Sequence, residues 1–306
     1  MTEVTIINPS YSTTRTVTRQ QPVIEKQAED KFETVLFLPE GEDRQGEGGL
    51  RAQGYFKTSL EGKPLITVIT VVFNGEKFLE ETIQSIINQT YENVEYIIID
   101  GGSTDGTLDI IKRHEGKIDY WISEKDKGIY DAMNKGIRLC SGNIIGIVNA
   151  DDYLYLDTIF NIANIYVKKI FNYTYGSLDC IDGQKKKYKI ISIGTNNIKY
   201  KVFSHMPYLH PTMFCAKTMY KALGLYDVGC KLSADYDFIF KIDGAKYQGV
   251  ELNFKTGCFR LGGASGGIES IKENHRLLLK HKKNYFLVWL NTFILTFKLR
   301  IRNLKK

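Results

Sequence analysis

From Pro64 to Asp152 the apolar positions keep two alternating rhythms. Leu65 to Phe73 is β-branched and apolar throughout, which predicts a strand covered on both faces. Asn74-Gly75 turns the chain, and Phe78, Leu79, Thr82, Ile83, Ile86 and Ile87 then recur at helical spacing. Val94 to Ile99 predicts a second strand, and Gly101 to Gly106 a tight turn into a helix from Thr107 to His114. Asp119 to Ser123 predicts a third strand, Ile129 to Cys140 a helix, and Gly142 to Val148 a short buried strand running into Asn149-Ala150-Asp151-Asp152. Strand and helix alternate, so the expected fold is α/β with a mainly parallel, doubly wound sheet.

Beyond Asp152 the rhythm is weaker. Helical spacing resumes from Leu156 to Lys169, strands are expected near Tyr173 to Tyr175 and Tyr188 to Ile193, and short elements at His210–Phe214, Ser233–Ile242 and Val250–Phe254. Residues 1 to about 30 are rich in Thr, Gln and charge without a period and are expected to lack fixed structure. Phe32 to Pro39 reads as a strand, and the glycine-rich run from Gly41 to Gly54 as a long loop. The expected organisation is an N-terminal extension over 1–60, a catalytic domain over 61–268 and a helical, basic C-terminal segment over 269–306.

Composition changes this picture in two places. The net charge is +6, but Lys298, Arg300, Arg302, Lys305 and Lys306 supply five of those positives, so the basicity belongs to a tail. A local basic tail fits an anionic surface and argues against a nucleic-acid-binding domain. The five cysteines show no CxxC spacing, which excludes a patterned zinc site and points to reduced thiols in the cytoplasm. No signal peptide is visible, and no stretch reaches the roughly 20 apolar residues of a membrane span.

The chemistry gathers at strand ends. Open α/β sheets bind ligands beyond the carboxyl ends of their strands, where Asp100, Asp151 and Asp152 are expected. Adjacent carboxylates suit a hard cation, Mg²⁺ or Mn²⁺, that neutralises a diphosphate. Gly101 and Gly102 permit close approach of backbone to a bound group. There is no GxGxxG after a strand and no Walker motif, which disfavours a dinucleotide or ATP enzyme.

The ordered runs VITVVFN, IIIDGGSTDGT, SEKDKGIYDAMNKGI and GNIIGIVNADD, followed by HPTMF and SADYDF, resemble family 2 of the inverting glycosyltransferases, over roughly residues 64 to 265. The resemblance implies a GT-A-type, Rossmann-like fold with flanking helices and a C-terminal helical extension. It implies that Val71 and Phe73 touch the nucleobase and that Asp100 meets its edge. Asp126, Lys127 and Gly128 would lie near the nucleotide, Asp151 at the ribose or donor sugar, and Asp152 at the metal. Asn149 occupies the motif's first position and brings no charge. Asp235 matches the catalytic general base, while Asp237 approaches the same cleft only if the segment is helical. For His210 a contact with acceptor or diphosphate and a structural role both stand. For Gly262 to Gly267 a closing loop and a plain connection both stand.

From Asn284 to Phe297 no charge occurs, and basic residues flank the stretch. A helix at a membrane interface, a helix packed on the core and a dimer contact are the three readings. The resemblance implies a metal-dependent, inverting transferase using a nucleotide-diphosphate sugar donor. The acceptor would be a glycan or a polyprenyl-diphosphate-linked glycan, in cell-surface polysaccharide synthesis at the inner leaflet. A polyprenyl-phosphate glycosyltransferase and a catalytically silent nucleotide-sugar-binding protein are the rivals; the second predicts loss of Asp152 or Asp235, and both are present.

Overall fold

A computed structural model describes residues 3–41, 43–181, 187–191, 207–261, 267–281 and 285–304. The first half winds as the periodicity dictates. Strand β2 (Ile66–Val72) leads into helix α1 (Leu79–Ile87), β3 (Val94–Asp100), α2 (Thr107–Arg113), β4 (Tyr120–Glu124), α3 (Ile129–Leu139) and β5 (Ile144–Ile147). These strands lie in the order β4-β3-β2-β5 and pair in parallel. Successive side chains of a strand point to opposite faces, so β2 divides its apolar residues between two layers. Ile69 and Val71 pack with Ile97, Ile99 and the Met133–Ile137 face of α3. Ile66, Val68 and Val72 pack with α1, α2 and Tyr96 on the other side. Gly136 in α3 lies so close to β2 that a Cβ there would sit 2.5 Å from Ile69 Cγ2.

The second half extends the sheet with mixed polarity. After β6 (Tyr153–Leu154) and α4 (Thr158–Lys168) come β7 (Tyr173–Ile181), β8 (Lys187–Ile191), β9 (Phe214–Ala216), α5 (Lys217–Leu223), α6 (Ala234–Gly244) and β10 (Gly249–Arg260). Strand β9 joins β5 antiparallel, β7 pairs β10 in parallel, and β8 and β6 add antiparallel edges. The parallel pairing expected to predominate is thus concentrated in the half built by strand–helix alternation, with β7–β10 adding a parallel pair in the second half. Helices α7 (Ile268–Lys280) and α8 (Tyr285–Leu304) follow, matching the expected C-terminal extension. Residues 262–266 of the glycine-rich run lie outside the described residues.

The N-terminal stretch departs from expectation. Thr5 and Val17 form a bridge, Ser12 Oγ donates to Ile86 O at 2.9 Å, and Thr13 Oγ1 donates to Lys117 O at 2.7 Å. Its anchors are hydroxyls and backbone groups, which leave no hydrophobic period to read. Residues 32–39 form no strand. The glycine-rich run instead supplies β1 (Arg44–Gly48), an antiparallel edge on β4. Pairing with a strand about eighty residues away has no local signature.

This stretch also closes the amino end of the sheet. Arg51, 3% exposed, donates to Leu36 O, Leu139 O and Glu95 Oε1, the last at 2.8 Å. Glu95 also accepts from Thr67 Oγ1 at 2.5 Å and Ser141 N at 2.8 Å. Lys57 Nζ lies 3.7 Å from Asp119 Oδ1, and burial holds this amine below its ordinary pKa. Removing one member leaves a buried charge without its counter-ion, which costs about 3–5 kcal/mol. Arg51→Ala is therefore expected to lower unfolding free energy by about that amount in urea titration. A loss below about 1 kcal/mol would contradict a pairing role.

Candidate active site

Parallel strand order reverses direction between β2 and β5. Helix α1 leaves β2 toward one face, and α3 reaches β5 from the other, so the strand ends open onto a crevice. Beyond β2, Phe73 is 65% exposed and Asn74 adopts φ +53, a conformation uncommon outside glycine. The turn is held by Ser103 Oγ accepting from Asn74 N at 2.7 Å and Thr107 Oγ1 accepting from Gly75 N at 2.8 Å. Beyond β5, Thr82 of α1 donates its hydroxyl to Ala150 O and Asp152 O. The Asp-Asp turn is thereby fastened to the helix beneath it.

The crevice encloses about 820 Å³, and its walls include Val71, Phe73, Asp151, His210 and Asp235. Five of the sequence-derived candidates thus meet in one cavity. Asp152 stands behind Asp151, 2% exposed, accepting from Arg260 N at 2.9 Å and from Asn149 Nδ2 at 3.4 Å. Burial, then the neighbouring Asp151 charge, pushes its carboxyl up to about 8. Burial raises Asp151 as well. Asn149 Oδ1 is buried with no hydrogen-bond partner. Three oxygen-bearing side chains therefore stand at one turn, two of them carboxyls whose ionised form burial disfavours and one an amide oxygen without a donor.

The remaining candidates lie apart from the cavity wall. Asp100 is fully buried and accepts from Ser103 N at 3.1 Å and Ser123 Oγ at 2.6 Å, so it pins the 101–106 turn. Asp126 accepts from Gly128 N at 2.7 Å, and burial raises its pKa. A Cβ on Gly101 would fall 2.4 Å from Asp126 Oδ2 and 3.5 Å from Phe73 Cδ2, so the missing side chain keeps a slot open between them. Gly128 has φ +119, which favours glycine at the start of α3, and Lys127 beside it is exposed.

Asp235 and Asp237 both sit in the first turn of α6 but face different ways. Asp235 Oδ1 accepts from Tyr130 Oη at 2.8 Å and from Tyr236 N at 2.9 Å within the crevice. Asp237 is fully buried and turns to the C-terminal helices, with Lys280 Nζ at 3.1 Å and His281 Nε2 at 2.9 Å. His210 Nε2 lies 2.9 Å from Tyr226 Oη, and burial depresses the imidazole pKa, favouring the neutral ring.

Two functional candidates escaped the sequence reading. Tyr130 lies in a motif already singled out, but its bond to Asp235 spans more than a hundred residues. Arg260 ends β10, donates Nη1 to Asp151 O, pairs with Glu81 and stacks 4.4 Å from the Phe78 ring centroid. Only sheet pairing brings it to the Asp-Asp turn.

Helices α7 and α8 complete the cavity through Ser270, Asn274, Leu278, Asn291 and Leu295. Glu273 accepts from Lys231 N and Leu232 N at 2.6 and 2.8 Å, fixing α7 to the segment before α6. Asp237→Ala is expected to release this docking. Amide exchange within 268–280 and 285–304 should accelerate about tenfold or more, since a buried charge-assisted bond contributes about 1.5–3 kcal/mol. Unchanged exchange there would contradict a tethering role.

Comparison with known proteins agrees with this geometry. Residues 67–221 match the family model described as glycosyl transferase family 2. Chondroitin synthase of Escherichia coli is 31% identical over 193 residues, covering 60% of this chain and 27% of that protein. The chain spans 58% of the length of the first curated relatives it matches. Staphylococcus aureus TarS 1–349 in complex with UDP-GlcNAc has a TM-score of 0.56 at 16% identity, covering 73% of this chain and 70% of that one. The mannosyltransferase PcManGT of Pyrobaculum calidifontis, in complex with GDP-Man and Mn²⁺, has a TM-score of 0.51 at 20% identity, covering 72% and 63%. At these identities the structural likeness shows the fold. With the family model matching half its length, this chain belongs to glycosyl transferase family 2.

Proposed function

We propose that the chain transfers a sugar, with inversion, from a nucleoside-diphosphate donor to a hydroxyl of a glycan or lipid-linked glycan. The observation that carries this reading is the pairing of two carboxylate groups across one crevice. Asp151 and Asp152 stand at the β5 end, and Asp235, held by Tyr130, stands at the α6 end. The slot between Phe73 and Asp126 suits a planar base, and Arg260 adds positive charge beside Asp151. UDP-GlcNAc in TarS and GDP-Man in PcManGT make a nucleotide-sugar donor the natural choice.

The residues at the Asp-Asp turn fit a divalent cation. Asn149 Oδ1 lacks a partner, and the raised Asp151 and Asp152 carboxyls would be relieved by positive charge. No cluster of three or more His, Cys, Asp or Glu able to hold a metal occurs among the described residues. Mg²⁺ and Mn²⁺ in such sites take one or two carboxylates and complete their shell with phosphate oxygens. Held by Asp152 with Asp151 and Asn149 beside it, such a cation would supply charge stabilisation for the departing diphosphate.

Asp235 acts as the general base. Both described donors address Oδ1, which supports Oδ2 as the oxygen that takes the acceptor's proton. The acceptor oxygen forms its bond to the anomeric carbon as the bond from that carbon to the diphosphate breaks. Cell-surface polysaccharide synthesis at the cytoplasmic face of the inner membrane is the setting this reading favours. Chondroitin synthase, a named relative, and five buried cysteines outside any disulfide support it.

Asp235→Asn is expected to reduce turnover by about 10²–10⁴-fold while the donor dissociation constant stays within about twofold. Retained turnover would remove Asp235 from the role of base. Asp152→Asn is expected to abolish the Mn²⁺-dependent part of donor affinity, measured by calorimetry with and without the metal. Equal affinity in the two proteins would refute the metal assignment. Proton NMR of the fresh product should show the anomeric configuration opposite to the donor's; retention would exclude the single-displacement step.

A further inference from the structure

Helix α8 carries apolar residues on two opposite faces. At about 100° per residue, Val288, Asn291, Thr292 and Leu295 fall on one side. Val288 is fully buried, Thr292 Oγ1 lies 2.7 Å from His275 Nδ1 of α7, and Asn291 and Leu295 line the crevice. The opposite side presents Phe286, Leu287, Trp289, Leu290, Phe293 and Phe297, each 38–66% exposed. Trp289, Phe293 and Phe297 stack along it, with centroids 5.7 and 6.4 Å apart. No polar side chain interrupts that face among residues 286–297. A helix covered only by water would carry its charged residues there.

We propose that this outer face docks on an anionic lipid bilayer and that docking sets the acceptor side of the crevice. The inference rests on the transferase reading for its second half. Charge selects the occupant. From Asn274 to Lys306 the sequence has no Asp or Glu, while Arg276, Lys280, Lys282, Lys283 and five basic residues after Phe297 flank the apolar stretch. Basic residues bracketing an aromatic apolar face match anionic headgroups over an acyl boundary, with tryptophan at the interface level. A second copy of the same basic segment would be repelled. No described helix is long and apolar enough to cross a membrane, so the helix lies along the surface. Because its inner face is a wall of the crevice, a lipid-linked acceptor held in the same bilayer meets the wall that carries Asn291 and Leu295. The base end, at Phe73 and Asp126, is built from β2 and the segment before α3 and is independent of docking.

The test uses the full chain and two kinds of vesicle, phosphatidylglycerol with phosphatidylcholine, and phosphatidylcholine alone. Flotation is expected with the anionic vesicles and should fall as salt rises. Trp289 should shift its emission to the blue, and the signal is readable because the other tryptophan, Trp121, is 2% exposed and already shielded. The double variant Trp289→Ser/Phe293→Ser should lose vesicle partition by about tenfold or more. Its thermal melt and its donor affinity should be unchanged, since both side chains point away from the fold. Trp289→Phe should retain binding. Absence of flotation with either vesicle would overturn the proposal, and a dimer dissolved by the double variant would reassign the face to self-association. Flotation without any donor binding would leave the docking intact and count against the transferase reading alone.

Discussion

The position of the site depends on one topological constraint, the reversal of winding between β2 and β5. Two neighbouring parallel strands send and receive helices on opposite faces, so no helix covers the gap beyond their ends. Phe73 to Gly75 and Asn149 to Asp151 line that gap because they follow closely on the strand ends, with Asp152 behind them. The chemistry then comes from what the chain places there. A flat aromatic ring and a glycine shape one end, and buried oxygen ligands concentrate charge at the other.

Two acids at opposite ends of the same sheet, Glu95 and Asp152, are treated in contrary ways. At the amino end Arg51 and Glu95 satisfy each other, and the surrounding carbonyls and hydroxyls absorb what remains. At the carboxyl end Asp152 accepts from Arg260 N and from Asn149 Nδ2, Arg260 donates to the Asp151 carbonyl rather than its carboxyl, and both carboxyls are raised. Neutralised charge at one end supports the fold. The raised carboxyls at the other are a binding potential, because a cation with a diphosphate would favour their ionised form. Glu95 and Asp152 are equally buried, yet the Arg51 guanidinium holds the first below the ordinary carboxylate range while burial raises the second.

How much was legible in the sequence follows from which contacts are local. The run from β2 to β5 reads from period alone, since every strand and helix there packs an apolar stripe of its own. The Asp-Asp turn and Asp235 were legible through motif resemblance. The first sixty residues were opaque: their anchors are Ser and Thr hydroxyls, and β1 exists only because β4 has a free edge. Arg260 and Tyr130 were invisible for the same reason, each being a candidate only through a partner more than a hundred residues away. Asp100 shows the converse, a carboxylate at a strand end whose oxygens are taken by Ser103 and Ser123. The final helix was readable as apolar but not as two-faced, because its packing partner, α7, decides which side is covered.

Donor-linked stability measures the Asp-Asp site most directly. The chain would be melted against UDP-, GDP-, dTDP- and CMP-linked ligands, each with and without Mn²⁺. A ligand at about 100 times its dissociation constant adds roughly 2.7 kcal/mol, a readable rise in melting temperature. One nucleoside diphosphate class is expected to stabilise the protein in the presence of Mn²⁺ and to lose most of that effect without it. Stabilisation by none of them in either condition, or equal stabilisation with and without the metal, would contradict a cation-dependent nucleotide-sugar site at Asp151 and Asp152.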